Sequence, residues 1–158
     1  MTTLKPGDQA PEFIGIDQNG KNLGLRDFKG KKLILYFYPK DMTPGCTAEA
    51  QNLRDHFKLL QKKGYEIVGV SPDAPKRHVR FIEKYNLPFP LIADTEHKIA
   101  DLYEVWGLKK FMGREYMGIY RTTFIIDEAG IIRHVIKKVK TKAHAEQILE
   151  EIERKENS

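Results

Sequence analysis

Residues 33–38, LILYFY, form an apolar run that ends at Pro39. It is too short for a typical helix and rich in aliphatic and aromatic side chains, so it predicts a buried strand. Beyond a polar stretch, Lys40 to Thr43, and then Pro44-Gly45, apolar positions return as Ala50, Leu53, Phe57 and Leu60. Their spacing of three and four is the stripe of an amphipathic helix, which Lys62-Lys63-Gly64 closes with cations and a glycine. Upstream, residues 13–16 and 21–25 flank Asp17-Gln18-Asn19-Gly20, whose Asn-Gly pair predicts an N-terminal β-hairpin. Downstream, residues 66–70 (EIVGV) predict a second core strand. A helix over 76–85 follows, with Val79, Ile82 and Tyr85 inward and Pro88 and Pro90 beyond its end. Leu91-Ile92 is a brief strand, and Asp94 or Thr95 caps a helix reaching Tyr103. Residues 106–118, with Gly113 and Gly118, read as a loop. A second hairpin spans 121–127 and 131–136 around Glu128-Ala129-Gly130, and Thr141 caps a last helix with Ile148, Leu149 and Ile152 inward. The order β-β-β-α-β-α-β-α-β-β-α predicts an α/β fold in which a mixed central sheet carries helices on both faces, one domain over residues 1–158.

Cys46, the only cysteine, falls where strand 33–38 hands over to the following helix. The unpaired amides and the dipole of a helix's first turn favour negative charge, so a thiol there ionises more readily and becomes a nucleophile. A lone cysteine forms no internal disulfide, and by count alone it is more often core filler. The helix-start position and the flanking Thr43, Pro44 and Gly45 reverse that reading.

Composition adds bounds. The formal charge is +5, and the basic clusters are KGKK at 29–32 and RHVIKKVKTK at 133–142, both interrupted and adjoining predicted strands. Solvated lysines are the simpler account, and nucleic-acid binding is the weaker alternative. No apolar stretch approaches a membrane span, and MTTLKPGDQAPEF lacks an apolar signal core, so the expected location is cytoplasmic. His56, His78, His97, His134 and His144 are scattered, share no ligand spacing with carboxylates or the cysteine, and are read mostly as surface residues; no metal site is expected. Gly113 to Gly118 is not a dinucleotide fingerprint.

Pro39, Thr43 and Cys46 stand as P-x-x-x-T-x-x-C within YFYPKDMTPGCTAE, and Arg121 opens RTTFIID. With PGDQAPEF, WGLKKFMG and GIYRTTFIID in the same order, the chain resembles the peroxiredoxins nearly end to end, in particular the bacterioferritin comigratory protein or Q-type subfamily. The resemblance implies a thioredoxin-like fold and a thiol-dependent peroxidase with no bound cofactor. Its substrates would be hydrogen peroxide and organic hydroperoxides, attacked by Cys46. Thr43 would then bond the sulfur or a peroxide oxygen, though its place suits a plain helix cap equally. Arg121 would stabilise the thiolate and the peroxide, an assignment carried by the resemblance, since spacing alone fits a solvated strand-end arginine. Pro39 would wall off the sulfur or simply end the strand. Gly45 would offer its amide to an anion and let the chain approach closely. Glu49, one turn beyond Cys46, is either a network carboxylate or, the preferred reading, a favourable first-turn charge. The loop carrying Trp106 and Phe111 is a further candidate for the pocket wall or an association surface.

Many Q-type relatives carry a resolving cysteine five residues after the first, where this chain has Gln51. Recycling is therefore expected from an external thiol (a thioredoxin, a glutaredoxin or a small thiol) or from Cys46 of another chain, in a monomer or weak homodimer. The competing reading from another class is a thioredoxin-like redox-sensing or holdase module without turnover.

Overall fold

The computed structural model describes residues 1–156. Strands β1 (Ile14–Ile16) and β2 (Asn22–Gly24) form the N-terminal hairpin, and β3 (Lys32–Phe37) follows. Helices α1 (Pro44–Asp55) and α2 (Phe57–Lys62) lead to β4 (Tyr65–Ser71), α3 (Pro75–Tyr85), β5 (Leu91–Ala93) and α4 (Lys98–Leu102). Then come β6 (Trp106–Phe111), β7 (Arg114–Ile119), β8 (Thr122–Ile126), β9 (Ile132–Ile136) and α5 (His144–Glu156). The central sheet has the order β5-β4-β3-β8-β9, with β3, β4 and β5 parallel and β8 and β9 antiparallel to their neighbours. This is the mixed thioredoxin-like sheet.

Alternation along β3 divides the interior into two layers. Ile34, Tyr36 and Tyr38 point to one face, against Leu53 of α1, Leu60 of α2, Phe81 of α3 and Ile148 of α5. Leu33, Leu35 and Phe37 point to the other, against Phe13, Ile99 of α4, Tyr103, Val105 and Phe124. A strand covered on both faces needs apolar residues at every position, which is why 33–38 reads as an unbroken run. Truncating a member such as Leu35, fully buried, to alanine costs about 2–5 kcal/mol.

Four features differ from the sequence expectation, each for a local reason. The helix expected to run from Cys46 through Leu60 breaks at His56. That ring's Nδ1–H donates to the Asn52 carbonyl at 2.9 Å, the acceptor the His56 amide would use in an unbroken helix, and the amide turns to Leu53 O at 3.3 Å. Residues 106–118 are a β-hairpin whose turn, Met112 (φ 50°) and Gly113 (φ 78°), has both residues left-handed. Its strands are exposed on both faces for most of their length, so no period-two pattern betrays them. Thr141 lies in a 3₁₀ turn rather than capping α5; the Asn52 side chain does so from α1, its Oδ1 accepting the Ala145 amide at 2.6 Å. His78 and Phe81 fill the inner face of α3, with Val79 half-buried. No helix among the described residues is long and apolar enough to cross a membrane.

Candidate active site

Cys46 is the third residue of α1 and is 1% exposed. The helix starts there because Thr43 is extended (φ −81°, ψ 153°) and Pro44 supplies a fixed φ without an amide to satisfy. The amides of Gly45 and Cys46 lie in the first turn, where no intrahelical acceptor exists. Arg121, between the ends of β7 and β8, donates from Nη2 to Cys46 Sγ at 3.4 Å and from Nη1 to Glu49 Oε1 at 2.7 Å. A permanent cation therefore faces the sulfur directly. Gly45 lies beside that guanidinium, a Cβ there standing in ordinary contact with Nη2 at 3.4 Å.

Glu49 takes the network role rather than that of the simple first-turn charge preferred from sequence. It is fully buried, and burial pushes its carboxyl up to about 7 even though Arg121 pulls it down. Behind it lies His144, also fully buried, with Nε2 3.7 Å from Glu49 Oε2 and 2.7 Å from Thr123 Oγ1, and Nδ1 3.0 Å from Gln147 Oε1. Burial pulls His144 down to about 4, against the Gln147 hydrogen bond, so the ring is neutral at ordinary pH. The surface reading of the histidines therefore fails for His144, and for His78 as well.

Glu49 holds its proton more tightly in the folded chain than in the unfolded one. Its contribution to stability is thus full below about 4.5 and is lost as pH rises towards 7. His144 runs the other way, its contribution being full above 6.5 and lost as pH falls through about 4. Glu49→Gln removes only the first effect. The melting temperature of that variant, relative to the parent, is expected to rise between pH 5 and pH 8, as calorimetry at several pH values will measure; a constant difference would contradict the assignment.

The loop that delivers Cys46 is braced from beneath. Asp41, fully buried, accepts from Tyr38 OH at 2.5 Å and pairs with His78 Nδ1 at 2.6 Å, while His78 Nε2–H donates to the Ile92 carbonyl at 3.0 Å. Asp73 accepts from the Asp41 amide at 2.8 Å and from Ser71 Oγ at 2.6 Å, and Arg77 Nη2 donates to Asp41 O at 2.9 Å. Asp41, Asp73 and His78 thus meet in space despite lacking a recognisable sequence spacing. Their oxygens and nitrogens are spent on one another and on their neighbours. His78→Ala leaves Asp41 buried without its partner and is expected to cost about 3–5 kcal/mol in denaturant unfolding; a loss below 1 kcal/mol would show that the pair does not hold the loop.

Of the residues singled out by sequence, Cys46, Arg121 and Gly45 come together. Thr43 stands at the cap of α1, but its hydroxyl hydrogen goes to the Lys40 carbonyl at 2.8 Å. Pro39 is half-buried just past β3, and Met42 between them adopts a left-handed φ of 66°. Trp106 stacks flat on His97 (4.0 Å, 3°), and Phe111 stands 66% exposed near the hairpin tip. Glu49 was open to a network role in the sequence, three positions after Cys46, whereas His144 gave no local sign.

Residues 6–135 match the AhpC/TSA family. The chain is 48% identical over 150 residues to the putative peroxiredoxin bcp of Haemophilus influenzae, covering 95% of this chain and 97% of that one. It is 47% identical over 148 residues to peroxiredoxin Bcp of Bacillus subtilis, covering 94% of each. Among solved structures, the Xanthomonas campestris bacterioferritin comigratory protein, studied for alkyl peroxide reduction, superposes with a TM-score of 0.84 at 30% identity over 98% of both chains. With one cysteine, set against an arginine at the start of a helix in a thioredoxin-like sheet, the chain belongs to the AhpC/TSA family as a thiol-dependent peroxidase, a one-cysteine peroxiredoxin of the bacterioferritin comigratory protein or Q-type group.

Proposed function

We propose that Cys46 is the peroxidatic nucleophile and that Pro39, Thr43, Gly45 and Arg121 serve it, within one domain spanning the chain. The Cys46 thiolate attacks the terminal oxygen of ROOH. The S–O bond forms as the O–O bond breaks, leaving Cys46 as a sulfenic acid and RO⁻, which leaves as ROH after taking a proton. The observation that carries this reading is the Arg121 guanidinium, which faces the sulfur at 3.4 Å and is locked from behind by Glu49 at 2.7 Å. Such a locked donor can follow charge from sulfur to the leaving oxygen without reorganising.

Thr43 takes a specific part. Its one hydroxyl hydrogen is committed to the Lys40 carbonyl, so towards a peroxide it acts only as an acceptor. A hydroperoxide's O–H donated to Thr43 fixes which oxygen faces sulfur. Pro39 borders the loop without an amide to compete for the thiolate. Substrates are hydrogen peroxide and alkyl hydroperoxides, the latter by analogy with the Xanthomonas protein.

With Gln51 where relatives carry a second cysteine, the sulfenic acid condenses with an external thiol, releasing water and leaving a mixed disulfide. A second thiol then restores Cys46 and departs as a disulfide. A sulfur 1% exposed admits a peroxide more easily than a protein thiol. Reduction by thioredoxin or glutaredoxin therefore requires the first turn of α1, Pro44-Gly45-Cys46, to open. Intact-mass analysis of the oxidised protein after adding glutathione, glutaredoxin or thioredoxin tests this recycling. A mixed disulfide on Cys46 followed by the reduced mass is the expected sequence, and an oxidised mass unchanged by every thiol would favour the redox-sensing reading.

A further inference from the structure

Asp41 stands two residues before Thr43, and every polar group it carries is held by another part of the chain. Its carboxylate accepts from Tyr38 and pairs with His78, and its amide donates to Asp73 Oδ2 at 2.8 Å. Its carbonyl accepts from Arg77 Nη2 at 2.9 Å. Asp73 and Arg77 are themselves joined, Oδ1 to Nε at 3.2 Å, the aspartate side chain 8% and the arginine side chain 41% exposed. Asp73, in the β4–α3 connection, and Arg77, in the first turn of α3, thus grip both ends of the Asp41 backbone from outside the loop. The next residue, Met42, is left-handed at φ 66°. A residue with a β-carbon takes that conformation only where its surroundings impose it. The turn it makes brings the Thr43 hydroxyl to the Lys40 carbonyl, at 2.8 Å. Asp41 and Met42 are all that separates those two groups in the chain, so the grip on Asp41 decides whether that hydrogen bond is kept.

We propose that Arg77, seated by Asp73, is a positioning residue of the peroxidase reaction: through Asp41 and the left-handed turn at Met42 it keeps the Thr43 hydroxyl turned to Lys40, and so keeps Thr43 an acceptor for the peroxide O–H. The proposal rests on the reading of Cys46 as the nucleophile and of Thr43 as the group that orients its substrate.

Without the Arg77 guanidinium, Asp41 keeps its amide bond to Asp73 and the two bonds of its buried carboxylate, so the loop stays in place. Its carbonyl, however, loses a charged donor, the stronger kind of hydrogen bond. The Asp41–Met42 peptide is then released to relax out of the left-handed turn, and the Thr43 hydroxyl turns to other acceptors. Once its hydrogen no longer points at Lys40, an incoming peroxide meets a donor where it needs an acceptor, and its two oxygens are no longer sorted with respect to sulfur. Arg77 therefore acts through the backbone and not on the substrate.

The test measures two reactions of Cys46, oxidation by hydrogen peroxide and alkylation by iodoacetamide, in the parent, Arg77→Met, Arg77→Lys, Thr43→Val and the double variant of Arg77→Met with Thr43→Val. Iodoacetamide reacts at carbon and has no O–H to give to Thr43, so it reports on the sulfur alone. Arg77 is half-exposed, and truncating it leaves the core intact. Arg77→Met is expected to slow oxidation roughly three- to tenfold, short of the full cost of a misplaced reacting group, and to leave the alkylation rate near that of the parent. Arg77→Lys, whose ammonium still donates to the Asp41 carbonyl but presents no fork to Asp73, recovers part of the rate. In the double variant Arg77→Met adds nothing to the loss caused by Thr43→Val, the coupling of two residues that act as one unit. Oxidation at the parent rate in Arg77→Met overturns the proposal. So does an equal fall in both reactions, which marks a general disturbance of the site, and so do losses that multiply in the double variant. Failure of the underlying reading is separate: Cys46→Ser turning over peroxide normally, or Thr43→Val oxidised as fast as the parent, removes the nucleophile or the orienting group and the proposal with it.

Discussion

Cys46→Ser is expected to abolish thiol-dependent peroxide consumption while leaving the fold and melting temperature close to those of the parent. A serine hydroxyl does not ionise near neutral pH and forms no counterpart of a sulfenic acid, so the first step is lost, not slowed. The substitution is nearly isosteric at a position 1% exposed, and the oxygen can still accept from Arg121, so the interior keeps its packing. Peroxide loss followed directly, with each candidate reductant in excess, checks this. Consumption above the protein-free background would remove Cys46 from the reaction.

The second large effect is at Arg121. Its guanidinium makes two bonds at once, to Cys46 Sγ at 3.4 Å and to Glu49 Oε1 at 2.7 Å. A lysine presents one compact ammonium and cannot hold both in one plane. Arg121→Met is expected to lower kcat/KM by roughly 10²–10³, the scale for loss of one preorganised donor at a site of developing charge, and Arg121→Lys to recover only part. Removing the arginine also strands Glu49, which is fully buried and already pushed up to about 7. The single variant should therefore lose stability as well as activity. Pairing it with Glu49→Gln separates the two: the double variant regains much of the stability and none of the activity. Were activity to return with stability, Arg121 would be a structural residue and the electrostatic account would be wrong.

What the sequence disclosed and what it hid follow from the range of the interactions. The strand of residues 33–38 and the helix after Cys46 were legible because burial on both faces and a helical stripe leave local patterns. Cys46 and Arg121 were named from a motif, and 75 residues apart in the chain they share a hydrogen bond. Glu49 was visible, yet its burial depends on Arg121 and on His144 arriving from α5, information absent from the first turn of α1. The brace of Asp41, Asp73 and His78 was hidden for the same reason, the pairing of Asp41 with His78 spanning 37 residues. Residues 106–118 misled for the opposite cause: a hairpin exposed on both sides has no inward face to mark, and Met112-Gly113 is a less familiar turn than Asn-Gly.

Oxygen transfer from a peroxide to the Cys46 sulfur, which Arg121 faces at 3.4 Å, is the step on which the proposed function rests. Mass spectrometry of the protein after one equivalent of hydrogen peroxide, with dimedone present to trap sulfenic acid, measures it directly. A single dimedone adduct on Cys46, accumulating more slowly in Arg121→Met at the same peroxide dose, is the predicted result. A protein that stays unmodified at Cys46 while peroxide is still consumed would contradict the account.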